Sequence, residues 1–294
     1  NTGYLMVAGC LAGFATSLAK GGGIAPVSEN PMIGPPALAL AACGAKVTGN
    51  IWAGQYWRLV SPMWLHAGLI HLFTNMNMLW RMGFPFERGI GTARFALLYL
   101  ASGVVSMVYS AVFAPGQITV GASGALFGVM GAMLGELFQN CHLLTARERC
   151  CGFFMLIFSI LLNLAVGLMP LVDNFAHASG CVSGILLAMV VVLHPDRRGV
   201  LKFRQVLFAA FSLLGWCLFT LLGVLLLVNK ANALTFCPWC AYVSCVPTPW
   251  WTCDSVTNPT VLNVSRRLET LDTLSTAAPW LVNEWAPYRD AASG

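Results

Sequence analysis

The sequence predicts an all-α fold, a polytopic helix bundle in a membrane, and three observations predict it. Of 294 residues, 57% are hydrophobic and 9% are charged, against roughly a quarter charged in a soluble domain. The apolar residues fall in long runs, near the roughly 20 residues that cross a hydrocarbon core as helix. Lys and Arg concentrate in alternate connections between those runs, the bias that sets orientation in a bilayer. A chain this apolar cannot keep its surface in water. The net charge of +5 is therefore read loop by loop, as a sign of a lipid bilayer and not of nucleic acid. The chain opens on Asn1 and not on Met, as a fragment or a processed form does.

The first span is Tyr4–Ala19, uncharged until Lys20. Gly21 to Arg58 is a long loop, because Pro35–Ala45 is apolar but too short to cross and "NPMIGPP" ahead of it breaks helix. Leu69–Met82 is the second span, interrupted by His71, Asn75 and Asn77 and extended back toward Pro62 to gain length. Phe95–Ala114, Ser123–Asn140, Cys151–Met169, Phe175–Leu193 and Val206–Val228 complete a set of seven.

Arg81, Arg88 and Arg94 flank the second connection, Arg147 and Arg149 sit in the fourth, and Arg197, Arg198, Lys202 and Arg204 fill the sixth. The intervening "APGQITV" and "PLVDN" carry no Lys or Arg. The even connections are thus expected in the cytoplasm, with the N-terminus inside and the tail after Val228 outside. Of 11 cysteines, Cys237, Cys240, Cys245 and Cys253 crowd into that tail. Outside the cytosol such a cluster favours disulfides, while its CxxC spacing also allows a small zinc site. Asn263-Val264-Ser265 is a glycosylation sequon on the same side.

Polar side chains inside spans are costly and point to function. The set here is His71, Asn75 and Asn77 in span two, Ser123 at the head of span four, Glu136 near its end, and His177 at the head of span six. Spans four and six run in the same direction, so Ser123 and His177 fall at similar depth near the outer face. A Ser hydroxyl needs a base within hydrogen-bond reach to become a nucleophile, and a neutral imidazole can take its proton and return it to a leaving amine. The oxyanion that follows needs fixed donors. Asn75 offers an amide, His71 a ring N–H on the same helical face four residues away, and the Ser123 amide sits where helix amides are unpaired. Gly121 leaves room for a substrate carbonyl to approach, while Gly124 with Gly128 and Gly180 with Gly184 make GxxxG spacings that let helices pack closely. Glu136 reads as a solvated helix-end carboxylate, and a transporter is disfavoured because no repeated, broken helices occur.

These residues carry a resemblance. "GASGALFG", "FAHASGCVSG" and "HLFTNM" resemble the GxSG, AHxxGxxxG and HxxxN motifs of the rhomboid family of intramembrane serine proteases. "YWRLVSPMWLHAGLIH", with its Trp57-Arg58 pair and His66, is similar to the family's first loop, and "ERGIG" is also shared. The likeness runs from about Asn30 to Arg198 and departs from the family mainly at Ala178-Ser179. It implies a six-helix catalytic core over residues 1–198, a linker and seventh helix over 199–228, and an extracytoplasmic tail over 229–294 like that of plant-type members. It further implies peptide-bond hydrolysis in single-pass membrane proteins, with Ser123 as nucleophile and His177 as base. Asn75, His71 and Gly121 would then serve the oxyanion and substrate, with no acid in the dyad and no metal or organic cofactor. Inactive relatives hold client helices without cutting them, which is the alternative. The six-plus-one arrangement implies the secretory pathway, in the Golgi or plasma membrane.

Overall fold

The computed structural model describes residues 2–169, 172–195, 200–249 and 253. Arg197 and Arg198 of the sixth connection and the Asn263 sequon lie outside the described residues. The chain is a helical bundle, and an isolated antiparallel bridge pairs Lys46 with Thr119.

The first helix, α1 (Thr2–Gly21), is followed by short helices α2 (Ala37–Ala42) and α3 (Thr48–Trp52) within the long loop. Next comes α4 (Leu69–Met78), which passes through a π-helical turn (Leu79–Gly83) directly into α5 (Phe84–Ile90). The second span therefore continues helical past Met82 to Ile90. α6 (Thr92–Phe113), α7 (Ser123–Gln139), α8 (Ala146–Val166), α9 (Asn174–Val191) and α10 (Phe203–Val228) follow, then two single-turn helices, α11 (Ala233–Phe236) and α12 (Ala241–Ser244). Among the described residues, five helices are long and apolar enough to cross a membrane: α1, α6, α8, α9 and α10. The remaining two expected spans correspond to the continuous 69–90 run and to α7, which is 17 residues long.

Local chemistry sets the ends. Thr145 and Glu148 form a capping box that starts α8 before the apolar run begins at Cys151. Asp173 caps α9, its Oδ1 accepting from the Ala176 amide at 3.0 Å.

Small residues fix the centre. A Cβ at Gly180 would collide with the Gly124 carbonyl, and one at Gly184 with the Gly128 carbonyl. On the other side of α7, Gly124 and Gly128 press against Ser106 and Ser102 of α6. α7 and α9 thus touch backbone to backbone, and α6 meets α7 through small serine side chains, a closeness that only small residues permit. Apolar side chains fill in around this contact, with Phe95, Leu98, Leu126, Val129 and Leu187 buried in one cluster. α10 docks outside it, where Tyr109 donates to the Phe219 carbonyl at 2.8 Å and Trp216 to Ser183 Oγ at 2.9 Å.

The long loop is tied down by a buried arginine. Arg58 is fully buried and donates to the carbonyls of Ala41 at 2.6 Å and Ala45 at 3.0 Å, and to Gln55 Oε1 at 2.6 Å. Its guanidinium lies 4.6 Å from the Trp57 ring centroid, a cation–π distance. From this loop the Pro62 carbonyl accepts the Gly121 amide at 2.9 Å, so the loop holds the chain just ahead of Ser123. At the opposite end, Glu136 is not simply solvated: its carboxylate meets His194 Nε2 at 3.0 Å.

Candidate active site

Ser123 is the first residue of α7, and its amide lies in the turn where helix N–H groups have no intrahelical acceptor. His177 sits one turn inside α9. Because the glycine contacts bring α7 and α9 together, His177 Nε2 stands 2.9 Å from Ser123 Oγ, within hydrogen-bond reach. Phe127, one turn after Ser123 on the same face of α7, stacks on the His177 ring at 4.1 Å between centroids and 11° between planes. That stack holds the imidazole plane, so the ring cannot tilt out of it without losing the contact. Among the described residues, no protein group hydrogen-bonds His177 Nδ1.

His71 and Asn75 come from α4. The His71 Nδ1 atom accepts from the Ala67 amide at 3.3 Å, which places the ring proton on Nε2 and makes that nitrogen a donor. Its edge abuts Gly121, whose φ of +125° suits glycine. The point that a Gly121 Cβ would take lies 2.8 Å from His71 Nε2 and 3.6 Å from Ser123 Oγ. His71 Cε1 lies only 2.6 Å from the same point, so the ring edge packs directly on the glycine, and the ring N–H and the Ser123 hydroxyl flank that position. Asn75 is buried, and its Nδ2 donates to the His71 carbonyl at 2.8 Å. One of its two amide protons is therefore used within α4. Asn77, by contrast, accepts from Arg81 at 2.9 Å on the exposed face, apart from this group.

Three features escape a reading of the sequence by spans. Phe127 had a usable signal, its four-residue spacing from Ser123 on one helix. Asp173 reads as a loop carboxylate, yet it is buried, caps α9 and accepts from Thr119 Oγ1 at 2.9 Å and from Ser110 Oγ. Lys46 reads as a loop lysine, yet it is fully buried and donates to the carbonyls of Ala114 and Gln117, both at 2.7 Å. Burial pulls its ammonium down to about 8, against the opposing pull of the Asp173 carboxylate.

The tail approaches the same end of the bundle. Disulfides join Cys237 to Cys240 and Cys245 to Cys253. The Asn174 amide donates to the carbonyls of Leu164 at 3.0 Å and Val243 at 2.7 Å, and the Val246 amide donates to the Leu168 carbonyl at 3.1 Å.

Residues 53–194 match the Rhomboid domain. The chain is 37% identical over 246 residues to RHOMBOID-like protein 6, mitochondrial, of Arabidopsis thaliana, covering 78% of this chain and 79% of that protein. It is 37% identical over 265 residues to RHOMBOID-like protein 1 of the same plant, covering 84% of this chain and 66% of that one. It is 33% identical over 257 residues to Inactive RHOMBOID-like protein 8, covering 79% and 71%. The chain spans about two thirds or less of the length of some curated relatives, 66% of RHOMBOID-like protein 1 and 60% of RHOMBOID-like protein 4. With similarity of this extent and depth, the chain belongs to the rhomboid family.

Proposed function

We propose that the chain is an intramembrane serine endopeptidase that hydrolyses peptide bonds in or beside the transmembrane helices of single-pass proteins. The observation that carries this reading is the 2.9 Å contact between Ser123 Oγ and His177 Nε2. His177 takes the hydroxyl proton as Ser123 attacks the scissile carbonyl, then gives it to the leaving amine. The acyl-enzyme is released by water, with His177 again as base. The developing oxyanion is held by His71 Nε2–H, the Ser123 amide and the second Nδ2 proton of Asn75. A helical amide is already hydrogen-bonded, so substrates that unwind readily near the cut are favoured. No metal or organic cofactor takes part in this scheme.

Residues 1–198 would form the catalytic core, 199–228 the linker and seventh helix, and 229–294 an extracytoplasmic tail. With the N-terminus in the cytoplasm, the site would open toward the lumen or exterior, in the Golgi or plasma membrane. One relative carries a mitochondrial name and another is named inactive, so activity needs direct measurement. Detergent-solubilised protein should react with a fluorophosphonate probe and cleave a reporter transmembrane substrate. Ser123→Ala should abolish both, and His177→Ala should lower both by at least about 10³-fold. A wild-type protein that neither labels nor cleaves would favour a client-binding role and sink the protease reading.

A further inference from the structure

The Ser123–His177 contact joins two helices whose heads are also linked one turn upstream. Thr119 lies four residues before Ser123, and Asp173 four residues before His177. These two are themselves bonded: Thr119 Oγ1 donates to Asp173 Oδ2 at 2.9 Å. Ser110, near the end of α6, donates to the same oxygen and lies 3.3 Å from the Thr119 hydroxyl. The other carboxylate oxygen caps α9 through the Ala176 amide at 3.0 Å. None of the bonds Asp173 makes goes to the His177 ring.

Lys46 completes the arrangement from the long loop. Its backbone exchanges two hydrogen bonds with Thr119, at 2.9 and 3.1 Å. Its ammonium holds the carbonyls of Ala114 and Gln117, the two ends of the turn that opens the connection between α6 and α7. Asp173 is the anion whose charge acts on it. Both side chains are buried, and a buried charge is tolerated when opposite charge and hydrogen bonds surround it.

We propose that Asp173 is a positioning residue for the dyad. Its carboxylate ties the segment that leads into Ser123 to the segment that leads into His177, and Lys46 and Ser110 hold the tie in place. The inference rests on the protease reading and adds a role for a carboxylate that never touches the substrate. Without the tie, the glycine contacts still hold α7 and α9 together, but the helix heads can splay. A displacement near 1 Å at the reacting atoms costs about 10²-fold in rate. The loss belongs in turnover and not in substrate binding, because the cluster's bonds run among its own members and the Ala176 amide and set only how the two helix heads stand.

The test uses the full chain, a reporter transmembrane substrate and the fluorophosphonate probe. Thr119→Val keeps the shape and removes the hydroxyl; Thr119→Ser keeps the hydroxyl. Thr119→Val should lower kcat roughly tenfold with KM within about twofold, and should slow probe labelling in proportion, while Thr119→Ser should stay within about threefold of wild type. Asp173→Ala should lose roughly 10²-fold in kcat, and the Asp173→Ala/Thr119→Val double variant should be no slower than Asp173→Ala alone, since both break one tie. The melting temperature, taken on the same preparations, separates slow enzyme from unfolded enzyme. Thr119→Val turning over at the wild-type rate per folded molecule would overturn the proposal, as would Thr119→Ser failing as badly as Thr119→Val. If the wild-type protein itself neither labels nor cleaves, the protease reading falls first and this one with it.

Discussion

α8 and α9 are consecutive, similarly apolar helices, and they are held in opposite ways. Eleven of the 18 residues of α9 are buried inside the protein, whereas α8 buries only Leu156 and Ile160 of its 21. α9 carries Gly180 and Gly184 against α7 backbone, a polar cap at its head and His177 behind the cap. α8 turns Phe154, Met155, Phe158, Leu161 and Leu162 outward. The difference teaches that apolar character puts a helix in the membrane but does not place it. In hydrocarbon an exposed Leu gains nothing by moving to a protein neighbour, so position must come from close packing and from polar bonds. The residues that place α7 and α9 are glycines, serines, a threonine and an aspartate.

The comparison can be pressed by substitution. The largest expected effect is at the glycine seam. Gly184→Leu would drive a side chain into the Gly128 carbonyl, and no flexible neighbour is there to yield. Probe labelling should fall below detection and the melting temperature should drop by more than 10 °C, following a loss of about 3 kcal/mol or more. Gly215, with no neighbour nearer than the Leu186 methyls at 3.7 Å, supplies the control, and Gly215→Leu should label normally. Equal tolerance at both sites would show that the seam is not what places the helices.

A second expected effect comes from the polar cap over the seam. Below about pH 8, Lys46 is charged in both folded and unfolded chains, and the fold bears the full cost of the buried ammonium. Its depressed value means that the folded state releases the proton first as pH rises. Stability should therefore increase between about pH 8 and 10.5 and level off above, by up to about 3 kcal/mol. Measured as melting temperature, this rise should appear in wild type and be absent in Lys46→Met. Parallel curves for the two proteins would remove Lys46 as a buried charge.

The smallest effect should be on α8. Phe158→Ala, with the side chain turned outward, should change stability by less than about 0.5 kcal/mol. A large destabilisation there would mean that α8 is gripped by contacts comparable to those of α9.

Much of this architecture is legible in the sequence because membrane spans are written in composition. The apolar runs, the interruptions in span two and the paired GxxxG spacings can each be read locally. What could not be read is what depends on partners distant along the chain. Lys46 in a glycine- and alanine-rich loop looks solvated until the α6–α7 connection folds over it. Asp173 looks like a loop carboxylate until Thr119 and Ser110 arrive. The π turn at Leu79–Gly83 alters no hydropathy, so span two seemed to stop at Met82. For the four tail cysteines, three pairings are possible, and only the fold selects among them. The spacing between Ser123 and His177 is an intermediate case: their equal depth follows from span direction, whereas their contact follows from glycines that let two backbones meet.

The bonds from Val243 and Val246 to Asn174 and Leu168 also bear on how the molecule is made. A ribosome delivers the N-terminus first, so Ser123 and His177 are synthesised before residues 233–246 exist. The segment that fastens the α8–α9 connection, next door to Asp173 and His177, leaves the ribosome only after α10 has been synthesised. A nascent chain therefore carries Ser123 and His177 for a time without its final fastening. Completion of that corner waits on the last part of the described chain.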